Sequence, residues 1–209
     1  MSSRTKTQAR PSARSKLIDA AHKVVRRQGY TATTVDQICA EAGVSKGAFF
    51  HHFSSKEALA EAAAEGWTER ADELIFTLPP WTRIEDPLER ILAHINFRAA
   101  LMDGPAESFT CFVGTIVQES FASSDVLRAA CDDSLTAYSE RFAADIEEAI
   151  DQYGIKDGVT PISLAYHVQA VLQGAFILAK AKADPGIAQD SAAHLKRYVS
   201  QLFVQSDHS

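Results

Sequence analysis

The sequence predicts an all-α protein of about nine helices. Apolar residues recur with helical spacing along most of the chain, and glycine or proline ends nearly every one of these runs. No segment alternates apolar and polar residues for long enough to indicate a strand. The 209 residues, of which 46% are apolar, suffice for one or two domains with sizeable cores.

The first two predicted helices are short and have clear ends. The first covers about 12–28 and stops at Gly29. The second begins at Thr34, which has the spacing of a capping box to Gln37. It ends at Gly43, because glycine adopts the left-handed conformation there without steric cost.

The third predicted helix follows at once and begins with a basic residue and small residues. Ser45 is its predicted N-cap, and Lys46, Gly47 and Ala48 form its first turn. Two helices joined by a glycine turn, the second with such a start, indicate a helix-turn-helix.

Six further helices are predicted in the rest of the chain, several of them ended by Pro or Gly pairs such as Pro79-Pro80 and Gly104-Pro105. Residues 161–179 carry no formal charge, and a membrane span needs about 20 apolar residues. This segment includes a histidine and two glutamines and has no aromatic belt, so we expect a helix buried on most sides and no membrane partner. The six helices are predicted at about 55–77, 88–102, 106–121, 125–153, 160–183 and 188–205.

Charge divides the chain into a basic and an acidic part. Residues 1–56 hold ten Lys and Arg against three Asp and Glu, a net charge of about +7. Residues 57–209 hold the other 11 bases and 24 acids, about −13. A basic head on an acidic body is typical of a head that neutralises phosphates. We predict a disordered basic arm at 1–11, a DNA-binding domain at 12–56 and a second domain at 57–209.

The sequence has no motif of an enzyme or a metal site. It lacks a P-loop, a Gly-rich dinucleotide turn, an HExxH and a nucleophile elbow, so we predict no catalytic residues and no cofactor. His51 and His52 are adjacent rather than four residues apart, which is a poor metal-binding face, so no metal is expected. Three cysteines without paired spacing indicate a reducing compartment, the cytoplasm.

Residues 14–60 resemble the tetracycline-repressor (TetR) family of transcriptional regulators. The resemblance lies in Arg27-Gln28-Gly29-Tyr30, in Ala42-Gly43-Val44-Ser45-Lys46-Gly47, and in Phe50, His52, Phe53, Lys56, Glu57 and Leu59 at the family's spacing. It implies a homodimer whose recognition helices enter successive major grooves of a pseudo-palindromic operator in double-stranded DNA. It also implies a variable C-terminal ligand-binding domain. We predict a repressor that leaves its operator when a small-molecule effector, or modification of a cysteine, moves the fourth helix.

The family pattern, carried onto this sequence, assigns the DNA contacts. Phe50 and His51 stand where the family often has two tyrosines, so phosphate bonding by those hydroxyls is lost and the operator cannot be inferred from relatives. His52 is either a contact or a half-buried structural residue, and the Arg26-Arg27 pair is either near DNA or a solvated face. The implied contacts are Ser45, Lys46, Gly47, Ala48, Phe50, His51 and His52, with Thr34 and Lys56 on phosphates.

The second domain has three predicted roles. The last two helices, about 160–205, are predicted to form the dimer interface, the alternative being an intrasubunit core. Cys111 is a candidate sensor of oxidants or electrophiles near a helix start, with Lys180 and Lys182 close by, or else a small buried apolar residue. The predicted effector-binding residues, each alternatively plain core, are Phe97, Arg98, Phe112, Gln118, Tyr138, Phe142 and His167.

Two questions of function stay open at the level of sequence. The second domain might dimerise only, which would make the chain a constitutive DNA-binding protein. Activation of transcription, rather than repression, is equally compatible with these residues.

Overall fold

The computed structural model describes residues 11–155 and 158–203, so the arm predicted at 1–11 lies, except for Pro11, outside the described residues. Within those ranges the chain is all-α, as predicted, with ten α-helices instead of nine. They are α1 (Ala13–Gln28), α2 (Val35–Ala42), α3 (Lys46–His52), α4 (Lys56–Ala71), α5 (Pro87–Ala100), α6 (Ala106–Phe109), α7 (Phe112–Ser120), α8 (Asp125–Tyr153), α9 (Pro161–Lys182) and α10 (Gly186–Leu202).

The N-terminal helices begin and end where their capping residues predict. Ser12 caps α1, and Thr34 and Gln37 form a reciprocal capping box at the start of α2. Gly43 adopts the left-handed conformation (φ 64°, ψ 39°) after α2, and the Ser45 hydroxyl accepts the Ala48 N–H at the start of α3. The helix-turn-helix therefore follows from local sequence chemistry.

The helix predicted at 55–77 changes its winding near the end. Regular α-helix stops at Ala71, and residues Asp72–Thr77 form a single π turn in which the Leu78 N–H bonds to the Glu73 carbonyl at 2.9 Å. Phe76 in this turn is buried against the rings of Trp81 and His94. A short 3₁₀ turn, Pro80–Arg83, leads on to α5.

The single helix predicted at 106–121 is wrong, because the chain breaks at Thr110 and Cys111. Both residues are extended (ψ 159° and 128°), which separates the one-turn α6 from α7. Cys111 becomes the N-cap of α7, its sulfur accepting the Gly114 N–H at 3.4 Å.

Two packed cores hold the molecule together. The first joins the helix-turn-helix to the body, since Leu17, Phe49 and Leu59 belong to the same buried cluster as Phe112 and Leu127. The second core is formed by α5, α8, α9 and α10 together with Phe76 and Trp81. The DNA-binding segment is thus packed onto α4, α7 and α8, without a flexible linker.

Helix α9 is long and apolar. It has the length and apolar composition of a membrane-spanning helix. The prediction that it is buried on most sides is wrong within this single chain, because only 39% of its apolar window is buried. A core helix of a soluble protein has the same composition, so this observation is weak evidence for a membrane.

Candidate functional site

Helix α3 presents an exposed, mixed apolar and basic surface. Phe49 anchors the helix in the core, while Phe50 next to it is 52% exposed. His51 and His52 are also exposed, with ring centroids 4.9 Å apart, so His52 is not a half-buried structural residue. Ser45, Lys46 and Gly47 are exposed at the start of the helix, and Ala48 is half-buried.

The ammonium of Lys46 has a weak local partner. It forms an ion pair of 2.9 Å with Asp36, and the two side chains are 57% and 71% exposed. Exposed pairs of this kind contribute little stability, about 0–1 kcal/mol. The ammonium can therefore leave Asp36 for a phosphate or a guanine edge at small cost.

The two residues expected to hold phosphates have other roles in this arrangement. The Thr34 hydroxyl is engaged with Gln37 in the capping box. The Lys56 ammonium donates to the carbonyls of Tyr30 (3.0 Å) and Thr33 (2.9 Å) and lies 4.3 Å from the centre of the Tyr30 ring. Burial lowers the pKa of Lys56. This lysine fastens α4 to the turn after α1 with two of the three N–H donors of its ammonium.

The turn after α1 is also tied to α7. The Glu119 carboxylate accepts the backbone N–H groups of Tyr30 (3.2 Å) and Thr31 (2.7 Å). Charge-assisted bonds of this type are stronger than neutral ones. The helix-turn-helix is therefore coupled to the body through polar contacts as well as through the shared core.

The Arg26-Arg27 pair is split between two environments. Arg27 stays near the surface, 3.6 Å from Glu41. Arg26 turns toward the body, where it donates to the carbonyls of His22 (2.9 Å) and Thr110 (3.4 Å) and stacks 4.9 Å from the Trp67 ring. Arg26 is therefore not part of a solvated face.

A cavity of about 220 Å³ lies where α1 and α4 meet the body. Arg98 and Tyr138, both predicted effector-binding residues, face it and bond to each other (Nη1 to Oη, 3.0 Å). The Tyr138 hydroxyl also forms a hydrogen bond with His94 Nε2 at 2.7 Å. Complete burial lowers the pKa of His94 well below its usual value, so His94 is neutral. The other lining residues include Trp67, Leu74, Ile75, Leu101, Met102, Ser108, Phe109, Cys111, Val113, Ser134, Leu135, Gln169, Gln173 and Phe176.

The other five predicted effector-binding residues do not line this cavity. Phe112 is fully buried beside His22, and Phe142 is fully buried in a stack on His94. Phe97 packs on the body core from a half-buried position. Gln118 is exposed and bonds to Gly114 of its own helix, while His167 is exposed on the opposite side of α9 against Tyr198.

The three cysteines differ sharply in environment. Cys39 and Cys131 are buried, and burial raises the pKa of the Cys131 thiol to about 12. Cys111 is half-buried, caps α7 and lines the cavity. Lys180 is placed nearby, bonded to Thr115 at 3.4 Å.

Family models match both parts of the chain. The model described as bacterial regulatory proteins, tetR family, matches residues 17–63, which contain α2 and α3. The model described as tetracyclin repressor-like, C-terminal domain, matches residues 87–195, about half of the chain. This chain belongs to the TetR family. It is therefore a helix-turn-helix transcriptional regulator.

Relatives within the TetR family agree with this assignment. The transcriptional repressor DhaR of Mycobacterium sp. (strain GP1) is 28% identical over 178 residues, covering 82% of this chain and 84% of DhaR. The uncharacterised regulator YerO of Bacillus subtilis (strain 168) is 44% identical over 50 residues, which are 24% of this chain and only 17% of YerO. The crystal structure of a TetR regulatory protein from Rhodobacter sphaeroides is 27% identical, with a TM-score of 0.77 over 92% of this chain and 99% of that chain.

TetR-family proteins act as dimers, and α9 and α10 leave several large apolar side chains exposed in the part of the chain that the structure describes. Tyr166, Ile177 and Leu178 of α9 are 47%, 48% and 52% exposed, and Tyr198 of α10 is 44% exposed. Exposed apolar patches of this kind mark interaction surfaces. We call the surface formed by these four residues the outer face.

Sequence reasoning missed part of the cavity. The pocket was predicted among the helices from α4 to α9, without Arg26 of α1. On α4 and α9 the residues Trp67, Arg70, Gln169 and Gln173 were not selected, and His167 was. The clearest available signal was the pair of glutamines in an otherwise apolar helix, because polar residues within a buried helix require partners.

Proposed function

We propose that this TetR-family chain is a homodimeric repressor that a small-molecule effector releases from a pseudo-palindromic operator. The observation that carries the proposal is the composition of the cavity wall, which α1 and α4 form together with α5, α8 and α9. A molecule in this cavity touches the DNA-binding segment and the body at once. We assign repression rather than activation because the relative DhaR is a transcriptional repressor.

Residues 12–56 are proposed as the DNA-binding domain, with residues 57–209 for the effector and the partner subunit, in the cytoplasm. The dimer forms through the outer face, within the range 160–205, of which 204 and 205 lie outside the described residues. Paired in this way, two copies place two α3 helices on one operator. The proposed base and phosphate contacts are Ser45, Lys46, Gly47, Ala48, Phe50, His51 and His52, with backbone contacts near Thr34.

Release works through a shift between two populations. An effector that changes how α4 packs on α1 alters the separation of the two α3 helices, which must stay near one DNA turn, about 34–36 Å. Taking the DNA-competent fraction from 99% to 1% needs about 5.5 kcal/mol of differential binding, which two cavities in a dimer share.

A second mode of release involves Cys111. This half-buried thiol lines the same cavity and lies at the start of α7, so its modification would add bulk where an effector would bind. Cys111→Ser should then abolish the response of DNA binding to oxidants. An unchanged response in this variant would assign Cys111 to packing alone.

Operator binding is tested first, by selecting sequences from a random duplex pool and from DNA flanking the chain's own gene. We expect one pseudo-palindrome, bound in a strongly salt-dependent manner. Binding without sequence preference at low salt would contradict the repressor. An operator that no small molecule releases would instead favour the constitutive DNA-binding alternative.

Lys46→Ala tests the proposed DNA face. It should reduce the salt slope of operator binding by about one unit and leave the melting temperature unchanged, because the Lys46–Asp36 pair is exposed. Arg83→Ala, which removes an exposed cation from the body, is the matched control. An unchanged slope in Lys46→Ala would remove this residue from the interface.

A further inference from the structure

The cavity contains three arginines and no acid. Arg26, Arg70 and Arg98 come from α1, α4 and α5, and neither Asp nor Glu is found among the lining residues. Arg70 is exposed together with Leu74 and Leu101, so these residues form the mouth, while Arg26 and Arg98 are half-buried. Three positive charges thus meet in one small, partly apolar space.

None of the three guanidinium groups has an ion-pair partner among the described residues. Arg90, by contrast, binds both Asp145 and Glu148, and the other ion pairs of the described residues likewise leave the cavity arginines out. Arg98 bonds only to the neutral Tyr138 hydroxyl, and Arg26 only to backbone carbonyls. Charged groups that leave bulk water are normally paired, so the half-buried Arg26 and Arg98 lack the acidic partner that such groups usually have.

The crowding has an electrostatic effect. Burial, and then the nearby charge of Arg70, lower the pKa of Arg26 to about 10. Cys111 in the cavity wall, and then Glu107 from outside ion-pair distance, act in the opposite direction. Arg26 is still protonated at neutral pH. An anion placed among the three groups would be held by charge-assisted hydrogen bonds and would relieve their mutual repulsion.

The remainder of the wall sets the size and character of the bound molecule. The cavity volume of about 220 Å³ exceeds the roughly 150 Å³ that holds benzene in an engineered apolar cavity. Trp67, Met102, Phe109, Leu135 and Phe176 supply apolar surface away from the charges. A compact aromatic or branched aliphatic group fits this space, and a bare inorganic ion would leave most of it empty.

We propose that the effector is an organic anion, with its carboxylate, phosphate or sulfonate among Arg26, Arg70 and Arg98 and its apolar body against Trp67 and Phe176. The assignment rests on the proposed repressor function, because it names the effector class of the same cavity. Since Arg26 belongs to α1, the anion connects the DNA-binding segment directly to α4 and α5.

The test uses full-length protein in low-chloride buffer and probes that differ only in charge. Calorimetric titrations compare benzoate, phenylacetate, 2-naphthoate and phenyl phosphate with benzamide, phenylacetamide and 2-naphthamide. At least one carboxylate should bind once per subunit, about tenfold or more tightly than its amide. Equal affinity for the two, or no anion binding by the folded protein at millimolar concentration, would overturn the proposal.

Substitutions locate the site. Arg70→Gln and Arg98→Gln should each reduce the preference for the anion severalfold without changing amide binding, and Arg98→Lys should restore part of it. Arg83→Gln removes a charge of the same type from the exposed surface outside the cavity and should leave the preference unchanged. Equal effects of Arg83→Gln and Arg98→Gln would mean that overall charge, rather than the cavity, attracts the anion.

Operator binding, measured separately, distinguishes the two proposals. Binding of the anion in the cavity with no effect on operator affinity would refute effector release and keep the anion site. Release by neutral molecules alone would refute the anion site and keep the repressor.

Discussion

The ammonium of Lys56 lies between two backbone carbonyls and over the Tyr30 ring, although its place in the family pattern suggests a phosphate contact. The Tyr30 carbonyl also accepts the Thr33 N–H (3.1 Å), whereas the Thr33 carbonyl has Lys56 as its donor among the described residues. The sequence identifies the lysine, but its partners are decided by how α4 docks on that turn. Side-chain hydrogen bonds of this kind cannot be inferred from sequence spacing.

Lys56→Met should therefore destabilise the protein. Leaving the carbonyl of the buried Thr33 without a donor costs roughly 1–3 kcal/mol, whereas the apolar part of the lysine side chain is kept. Urea unfolding measures this loss, and the salt slope of operator binding should not change. A reduced salt slope with unchanged stability would restore Lys56 to the DNA interface.

His22 gives the fold a pH dependence at acidic pH. It is buried between Trp67 and Phe112, its Nε2–H donates to the Ala63 carbonyl at 2.7 Å, and burial lowers its pKa to about 4. In the unfolded chain its pKa returns to about 6.5, so the unfolded state binds more protons between these values. His94, also buried and neutral, acts in the same direction.

The free energy of unfolding should thus be highest above pH 6.5 and fall as the pH drops toward 4. His22 alone contributes at most about 3.5 kcal/mol to this fall, at about 1.4 kcal/mol for each pKa unit. Urea unfolding at a series of pH values measures it, and His22→Gln should make the dependence shallower. An equally steep curve for the variant would assign the effect to His94 and to carboxylates.

At the scale of helices, the sequence predicted ends wherever the signal was local. The caps at Thr34 and Ser45 are confirmed, because a capping bond involves residues only three apart. No glycine or proline at Thr110 or Cys111 marks the break in the sequence. The Thr110 carbonyl accepts a hydrogen bond from Arg26, which lies 84 positions earlier in the chain. The break therefore coincides with a tertiary contact and not with a local sequence signal.

The contact between α7 and the turn after α1 should be measurable by itself. Glu119→Gln removes the charge and one of two acceptor oxygens, so the amides of Tyr30 and Thr31 should exchange with solvent about tenfold faster. Native-state hydrogen exchange measures the exchange rates of both amides directly. Glu140→Gln, an exposed change on α8, is the control. Unchanged protection would show that the shared core alone holds the turn.

At the scale of the whole molecule, the sequence predicted the fold class and family but only part of the cavity. Arg98 and Tyr138 were predicted to bind the effector, and both line the cavity. His167 was predicted too, but Gln169 and Gln173 face the cavity from α9 and His167 lies on the other side of that helix. Because α9 is apolar on more than one side, hydrophobic periodicity cannot tell which side faces inward. That choice is made by helices far away in sequence.

The outer face should determine the oligomeric state. Leu178→Asp places a charge on it and should convert the dimer to a monomer at micromolar concentration, with operator affinity lowered by at least about a hundredfold, since one half-site is lost. Light scattering coupled to size-exclusion chromatography gives the mass. Phe121→Asp, at an apolar residue that is 63% exposed on another surface, should remain dimeric. A dimeric Leu178→Asp protein would place the interface elsewhere.

Arg26 belongs to the DNA-binding segment by sequence and to the cavity by position. An effector held by this arginine and an operator held by α3 then bias one equilibrium, and thermodynamic linkage makes their influence mutual. If the effector lowers the affinity for the operator by a given factor, the operator lowers the affinity for the effector by the same factor. Copies that are not on DNA would consequently bind the effector first, so the number of spare regulator molecules in a cell would set the effector concentration at which the gene responds.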